Sequence, residues 1–131
     1  MPAKFRDLIN EQAAGKLVLT VDKSRCLVVY PLPAWEDVEQ KLYSVSSTKE
    51  SVQRYLRYLL QNAEECEMDS QGRFVVPPRL REYAGLSKQV VLAGYLKKLE
   101  LWDEDRYMAS QDQFQWPSDD ELPDEIASLT L

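Results

Sequence analysis

Apolar positions along this chain follow two different rhythms. Across residues 47–65, Val52, Tyr55, Leu56, Leu59, Leu60 and Ala63 recur at i, i+3, i+4, i+7, i+8 and i+11, the spacing of a helix with one apolar face. Ser47, with Glu50 three residues later, has the form of a capping box and sets the expected start of that helix. Its stripe is expected to be core. A shorter helix is predicted from Pro33, a favourable first-turn proline, with Trp35, Val38 and Leu42 along one side. The second rhythm is a set of short runs rich in Val and Leu, separated by turn or charge signals: "KLVLTV" (16–21), "CLVVY" (26–30), "RFVV" (73–76), "VVLAG" (90–94) and "KLELW" (98–102). Each is predicted to be a strand.

These elements occur twice. "MPAKFRDL" aligns with "VPPRLREY", placing Lys4 opposite Arg79, Phe5 opposite Leu80 and Arg6 opposite Arg81. Further on, "LVLT" aligns with "VVLA", "CLVVYP" with "KLELWD", and Trp35 with Tyr107, as the offset shrinks from 75 to 72 residues across small loop changes. Each copy reads as strand, short helix, strand, hairpin loop, strand and aromatic-bearing helix, with the helix from Ser47 joining the two. The expected organisation is a first repeat with its following helix (1–46), a linker helix (47–65), a second repeat (66–109) and an acidic tail (110–131). Met1 falls opposite Val76, so the strand before Val76 has no counterpart in the first copy. A longer natural form is expected to encode one.

Charge separates the tail from the body. The chain carries 16 basic and 22 acidic residues, and six of the acids (Asp112, Asp119, Asp120, Glu121, Asp124, Glu125) lie beyond Ser110 with no base among them. The body is therefore neutral. A tail with that composition buries too little apolar surface to offset its ordering entropy and is expected to be mobile. No apolar run approaches the roughly 18 residues that cross a bilayer, and the amino terminus lacks a signal-peptide pattern, so a cytoplasmic protein without membrane contact is expected. Cys26 and Cys66 have neither zinc-ligand nor disulfide spacing and are expected to be free.

The chemistry of the repeats is basic and sparse. Arg73 follows Gly72 at the exit of a tight turn that Asp69 begins, and Arg79 and Arg81 flank the start of a short helix; Lys4 and Arg6 hold the same helix places in the first copy. The hairpin loops add Lys23 and Arg25 in one copy and Lys97 and Lys98 in the other. Basic groups recurring at equivalent places suit repeated phosphates. The competing reading is that Asp69 and Arg73 pair across the turn while the other cations are simply solvated. The acidic run "EECEMD" (64–69) offers carboxylates, but the chain has no His, no glycine-rich phosphate loop and no nucleophile beside a base, so no enzyme and no cofactor are expected. Tyr30, Trp35, Trp102 and Tyr107 are expected to be packing anchors rather than base-stacking platforms.

Asp69, Gly72, Arg73, Val76, Pro77, Leu80, Arg81, Ala84, Gly85 and Leu86 resemble the AbrB-type swapped-hairpin pattern. Two such copies around a long helix, with "LVLT…CLVVYPLPAW" in one and "VVLAG…KLELWDEDRY" in the other, resemble the MraZ family of bacterial transcriptional regulators of the division and cell-wall gene cluster. The resemblance implies an α+β fold of two pseudo-symmetric AbrB-like swapped-hairpin repeats bridged by helices. It also implies double-stranded promoter DNA as partner, a homo-oligomeric ring, association with the nucleoid, and no metal. Carried onto this sequence, the DNA-binding set is Asp69, Gly72, Arg73, Arg79 and Arg81, with Lys4 and Arg6 from the first copy. Members carry an Asp-x-x-x-Arg motif in each copy, and this sequence has only the second. The alternative, from a different class, is an oligomeric antitoxin-like interaction module whose acidic tail occupies a basic partner.

Overall fold

The computed structural model describes residues 3–96 and 98–129. Helix α1 (Ala3–Ala13) leads into strands β1 (Lys16–Val21) and β2 (Leu27–Pro31), helix α2 (Leu32–Tyr43) and helix α3 (Glu50–Gln61). Strand β3 (Glu64–Glu67), helix α4 (Pro78–Ala84), strands β4 (Val90–Tyr95) and β5 (Lys98–Asp103) and helix α5 (Glu104–Asp112) follow. A 3-10 turn at Asp119–Glu121 and one turn of helix, α6 (Asp124–Ala127), lie in the acidic tail. The five strands form one sheet in the order β3-β1-β2-β5-β4, antiparallel throughout. The fold is α+β.

The repeat in the sequence is a two-fold repeat in the sheet. Strand β1 meets β2 with Leu17 opposite Pro31 and Leu19 opposite Val29; β4 meets β5 with Val90 opposite Asp103 and Leu92 opposite Leu101. These are the same register in aligned positions. The copies join through β2 and β5, where Val28 faces Glu100, Leu27 faces Leu101 and Val29 faces Leu99. Val28 and Glu100 are themselves aligned, so the pseudo-two-fold axis passes between them. The aromatic ends repeat too: Tyr30 and Trp35 have ring centres 5.7 Å apart, and Trp102 and Tyr107 6.0 Å. The packing role expected of these four rings fits that contact.

The central strands are buried on both faces, which is why they read as continuous apolar runs rather than alternating ones. Leu17, Leu19, Leu27, Val29, Leu99 and Leu101 form the core with Ile9 of α1 and Leu80 and Ala84 of α4. Helix α4 of the second copy crosses onto the first: Tyr83 donates its hydroxyl to the Asp22 carbonyl at 2.7 Å, and the Arg25 guanidinium lies 4.8 Å from the Tyr83 ring centre. The second copy's α4 thus packs on a strand and loop of the first.

Three local expectations need correction. The capping box does not form: α3 starts at Glu50 behind Lys49, and the Ser47 hydroxyl instead accepts the Lys49 N–H at 3.2 Å. The helix also stops at Gln61, because residues 64–67 are drawn into the sheet against β1. Its stripe is not core. No residue of α3 is buried, Tyr55 is exposed, and Leu59 and its neighbours are only half-covered at the sheet margin, where the Leu59 carbonyl accepts the buried Thr20 hydroxyl at 3.0 Å. Finally, "RFVV" joins no ladder among the described residues. Residues 73–76 lead back from the turn, tied by the Asp69 N–H to the Arg73 carbonyl at 2.8 Å and by the Cys66 thiol to the Val75 carbonyl at 3.6 Å. Phe74 and Val76 pack on the core while Val75 is exposed.

Candidate nucleic-acid interface

The turn between β3 and α4 is built around one carboxylate. Asp69 Oδ1 accepts the backbone N–H groups of Gln71 (2.9 Å) and Arg73 (2.8 Å), while Oδ2 accepts Arg73 Nε at 2.9 Å. The Gly72 N–H closes the turn on the Asp69 carbonyl at 3.0 Å, with Gly72 at φ +80°, a region an L side chain enters only with strain. These bonds favour the ionised carboxylate. The Arg73 backbone N–H holds the Asp69 carboxyl below its ordinary value, and the Arg73 side chain and Gln71 N–H add to the effect.

Arg73 is thereby aimed without being used up. Its side chain is 74% exposed, and only Nε is engaged, so Nη1 and Nη2 have no partner among the described residues. The ion pair itself is surface-exposed and contributes little to stability. Its effect is orientation: the bond at Nε sets the plane of the guanidinium and presents the two terminal nitrogens outward. The pairing expected as the competing reading thus exists, and it leaves the fork free.

The other sequence-derived candidates divide. Arg6, from the first copy, donates from Nη1 to the Gln71 carbonyl at 3.3 Å and so reaches the turn from α1. Arg81 lines a shallow cleft of about 310 Å3 with Gly72 and Arg73, joined there by Lys88, which sequence reasoning missed because it sits in a turn with no repeated partner. Arg79 is directed elsewhere, onto Glu64 Oε1 of β3 at 3.2 Å. Lys4 lies apart from the turn, on a separate apolar groove with Phe5, Leu8 and Leu96. Lys97 lies outside the described residues, and Lys98 stands over the Tyr30 and Tyr95 rings at 5.9 and 5.3 Å. The structure thus gathers Asp69, Gly72, Arg73, Arg81 and Arg6 at one turn and places Arg79 and Lys4 elsewhere.

Among the described residues one cluster has the composition of a metal site. Asp22, Cys26 and Glu100 bring ligand atoms within 4.8 Å of one another. Burial, with Glu100 and Asp22 adding, pushes the Cys26 thiol up to about 12, so it remains protonated near neutral pH. Asp22 already accepts the Ser24 N–H and Glu100 the Trp102 indole N–H. Both cysteines are free.

Two successive matches to the model of one family, described as "MraZ protein, putative antitoxin-like", cover residues 1–58 and 59–125. The chain belongs to the MraZ family. It is 47% identical over 129 residues to a protein of Thioalkalivibrio sulfidiphilus named Transcriptional regulator MraZ, covering 98% of this chain and 85% of that one. It is also 46% identical to the protein of the same name from Pseudomonas aeruginosa and 43% to that from Pseudomonas fluorescens, each over 134 residues, all of this chain and 89% of theirs. The two MraZ matches divide the chain within the linker, between the copies related by the sheet's pseudo-two-fold axis. Among the described residues no helix is long and apolar enough to cross a membrane.

Proposed function

We propose that this chain is a sequence-specific DNA-binding transcriptional regulator acting on the promoter of the division and cell-wall gene cluster, and that Arg73 is its principal contact. The observation that carries this reading is the guanidinium held at Nε by Asp69 with both terminal nitrogens free. A fork fixed in that way can clamp a phosphate or the O6 and N7 edge of a guanine with paired hydrogen bonds. Arg81, Lys88 and Arg6 around it supply positive charge for neighbouring phosphates. A homo-oligomer, closed as a ring, would repeat the contact along successive promoter boxes and raise avidity without any new interaction.

The test is binding to promoter and scrambled duplexes at fixed salt. Arg73→Ala lowers promoter affinity and relaxes preference at one position, and Arg73→Lys does not restore it, because an ammonium lacks the fork. Asp69→Asn, which keeps the turn acceptor but removes the charge that holds Nε, has an intermediate effect. Unaltered binding by Arg73→Ala on both duplexes, once corrected for folded fraction, would sink the assignment. Mass measurement at micromolar concentration tests the oligomer, and a strict monomer would count against the ring.

A further inference from the structure

The surface beside the β1–β2 loop is basic and aromatic, and it shares no residue with the arginine turn. Helix α3 carries Arg54, Arg57 and Tyr58 exposed, with Arg54 and Tyr58 four residues apart and therefore one above the other on the helix. Tyr58 meets Tyr83 of α4 with ring centres 6.3 Å apart, and the Arg25 guanidinium lies 4.8 Å from the Tyr83 ring centre. Lys23 stands two residues before Arg25 in the same loop. All four cations are exposed, and among the described residues none has an ion pair. Asp22, the acid of that loop, is turned to the Ser24 N–H and the Cys26 thiol, and the neighbouring Glu50 and Glu82 leave the cations in excess.

The acidic tail starts next to this face. Gln113, the first residue after α5, lines a cleft of about 330 Å3 with Ser24 of the β1–β2 loop and with Trp102 and Arg106. Phe114 and Trp116 follow, their ring centres 5.1 Å apart and both exposed, Trp116 at 87%. Beyond them Asp120, Asp124 and Glu125 are exposed, with no base in that stretch and no ion pair among the described residues. An extended chain covers up to about 3.5 Å per residue, so Trp116 can reach about 10 Å from Gln113 and Asp120 about 25 Å. The column from Arg25 through Tyr83 to Tyr58 falls within that span.

We propose that the tail closes as a strap over this face of its own chain, with Trp116 on the Arg25–Tyr83 pair and Asp120, Asp124 and Glu125 over Arg54 and Arg57. The order along the tail matches the order along the face: the aromatic residue comes first, near the loop, and the carboxylates come later, over the helix. Each exposed ion pair is weak alone. Tethering compensates, because a segment anchored beside its site meets it at an effective concentration of about millimolar, which a free acidic peptide or nucleic-acid strand must exceed to displace it. Closed, the strap removes these cations from the surface offered to polyanions, and salt opens it by screening the exposed charges. The inference concerns the tail and the linker helix, and it stands whether or not Arg73 reads a base.

The probe is chymotryptic cleavage after Phe114 in the full chain, followed by mass and normalised to a free peptide of residues 109–120. At low salt the wild-type chain is expected to be cut about fivefold more slowly than a face variant carrying Arg54→Glu and Arg57→Glu, or a tail variant carrying Asp120→Lys, Asp124→Lys and Glu125→Lys. Trp116→Ser is expected to lose part of the protection. All of these side chains are exposed, so melting temperatures should match the wild type. Combining the face and tail reversals in one chain is expected to restore slow cleavage, which a merely unfolded variant could not do. Refolding the face variant together with the tail variant pairs each altered tail only with another copy's face, and fast cleavage is expected there. The proposal is overturned if the single reversals are cut at the wild-type rate, if the combined chain is not protected, or if the mixture is protected, which would assign the strap to a second copy.

Discussion

The first and second copies share strand register to the residue and differ in nearly every polar fitting. Leu19 faces Val29 as Leu92 faces Leu101, and Tyr30 meets Trp35 as Trp102 meets Tyr107. The second copy closes its loops in its own way. Helix α4 ends on Gly85 at φ +62°, and Arg106 Nη1 donates to the Ala84 carbonyl at 2.8 Å. Asp103 caps α5 through the Arg106 N–H while accepting the Ser87 hydroxyl at 2.6 Å and the Ser87 N–H at 3.1 Å. In the first copy Asn10 stands for Gly85, and α1 runs on to Ala13 before turning through Gly15 at φ +80°, whose N–H donates to the Ile9 carbonyl at 3.2 Å, while Pro31 stands for Asp103. A pseudo-symmetric sheet therefore requires matched apolar registers and leaves each copy free to close its loops by different means.

The largest test of that difference is in the core. Leu80→Ala is expected to cost about 2 to 5 kcal/mol, since it empties a fully buried site. Phe5→Ala, its counterpart at the open groove, is expected to cost about half as much, because the ring is only half-covered. Urea melts of both variants measure this, and equal losses would show that the two copies are closed alike. Next is DNA. Arg73→Ala should lose about 1 to 3 kcal/mol on promoter duplex with relaxed preference. Lys4→Ala should leave sequence preference unchanged and alter the salt slope by about one contact at most. If Lys4→Ala proved the more damaging, the interface would belong to the other copy.

Smaller effects separate the helix ends. Gly85→Ala places a Cβ 3.3 Å from Arg106 Nη1 at a left-handed φ and should destabilise by about 1 to 2 kcal/mol. Asn10→Ala, within α1, should instead stabilise by about 0.5 kcal/mol through helix propensity. The smallest effect is with pH. Asp103 is held below its ordinary value chiefly by the Ser87 hydroxyl, as Asp69 is by the Arg73 N–H. A depressed carboxyl stabilises the fold above the unfolded value of about 4 and loses that contribution as pH falls through the folded value. The melting-temperature gap between the wild-type chain and Asp103→Asn should hold at neutral pH and narrow below about pH 4; the Pro31 site offers no equivalent.

Much of the sheet was legible in the sequence, and for a physical reason. Strands β1, β2 and β5 lie between other strands; β1 and β2 are covered on both faces and read as contiguous apolar runs, β5 on one face and reads as an alternating one, and the ends of all three agree with the sequence reading to within one residue. The repeat was legible because the same burial recurs at a nearly constant offset. Residues 73–76 misled because a Val-rich run is compatible with strand geometry whether or not a neighbour is present, and no neighbour pairs with it here. Tyr55 misled because helical spacing reports a shared face and not what covers it. The arginine turn was half legible: Asp69, Gly72 and Arg73 are local, whereas Arg6 reaches Gln71 across 65 residues and Arg79 is diverted to Glu64 by the strand that forms beside it.

The meeting of Val28 with Glu100 sets a timetable for the chain as it is made. The first hairpin can zip locally as soon as it clears the ribosome, but the strand it must lie against is 72 residues behind. At bacterial elongation rates of about 5 to 20 residues per second, that is a wait of ~4 to 14 seconds with Leu27, Val28 and Val29 facing an empty lane. The second hairpin emerges beside a neighbour already in place. Nascent first copies on adjacent ribosomes therefore form the window in which mispairing between chains is easiest, and slower translation of the linker lengthens it.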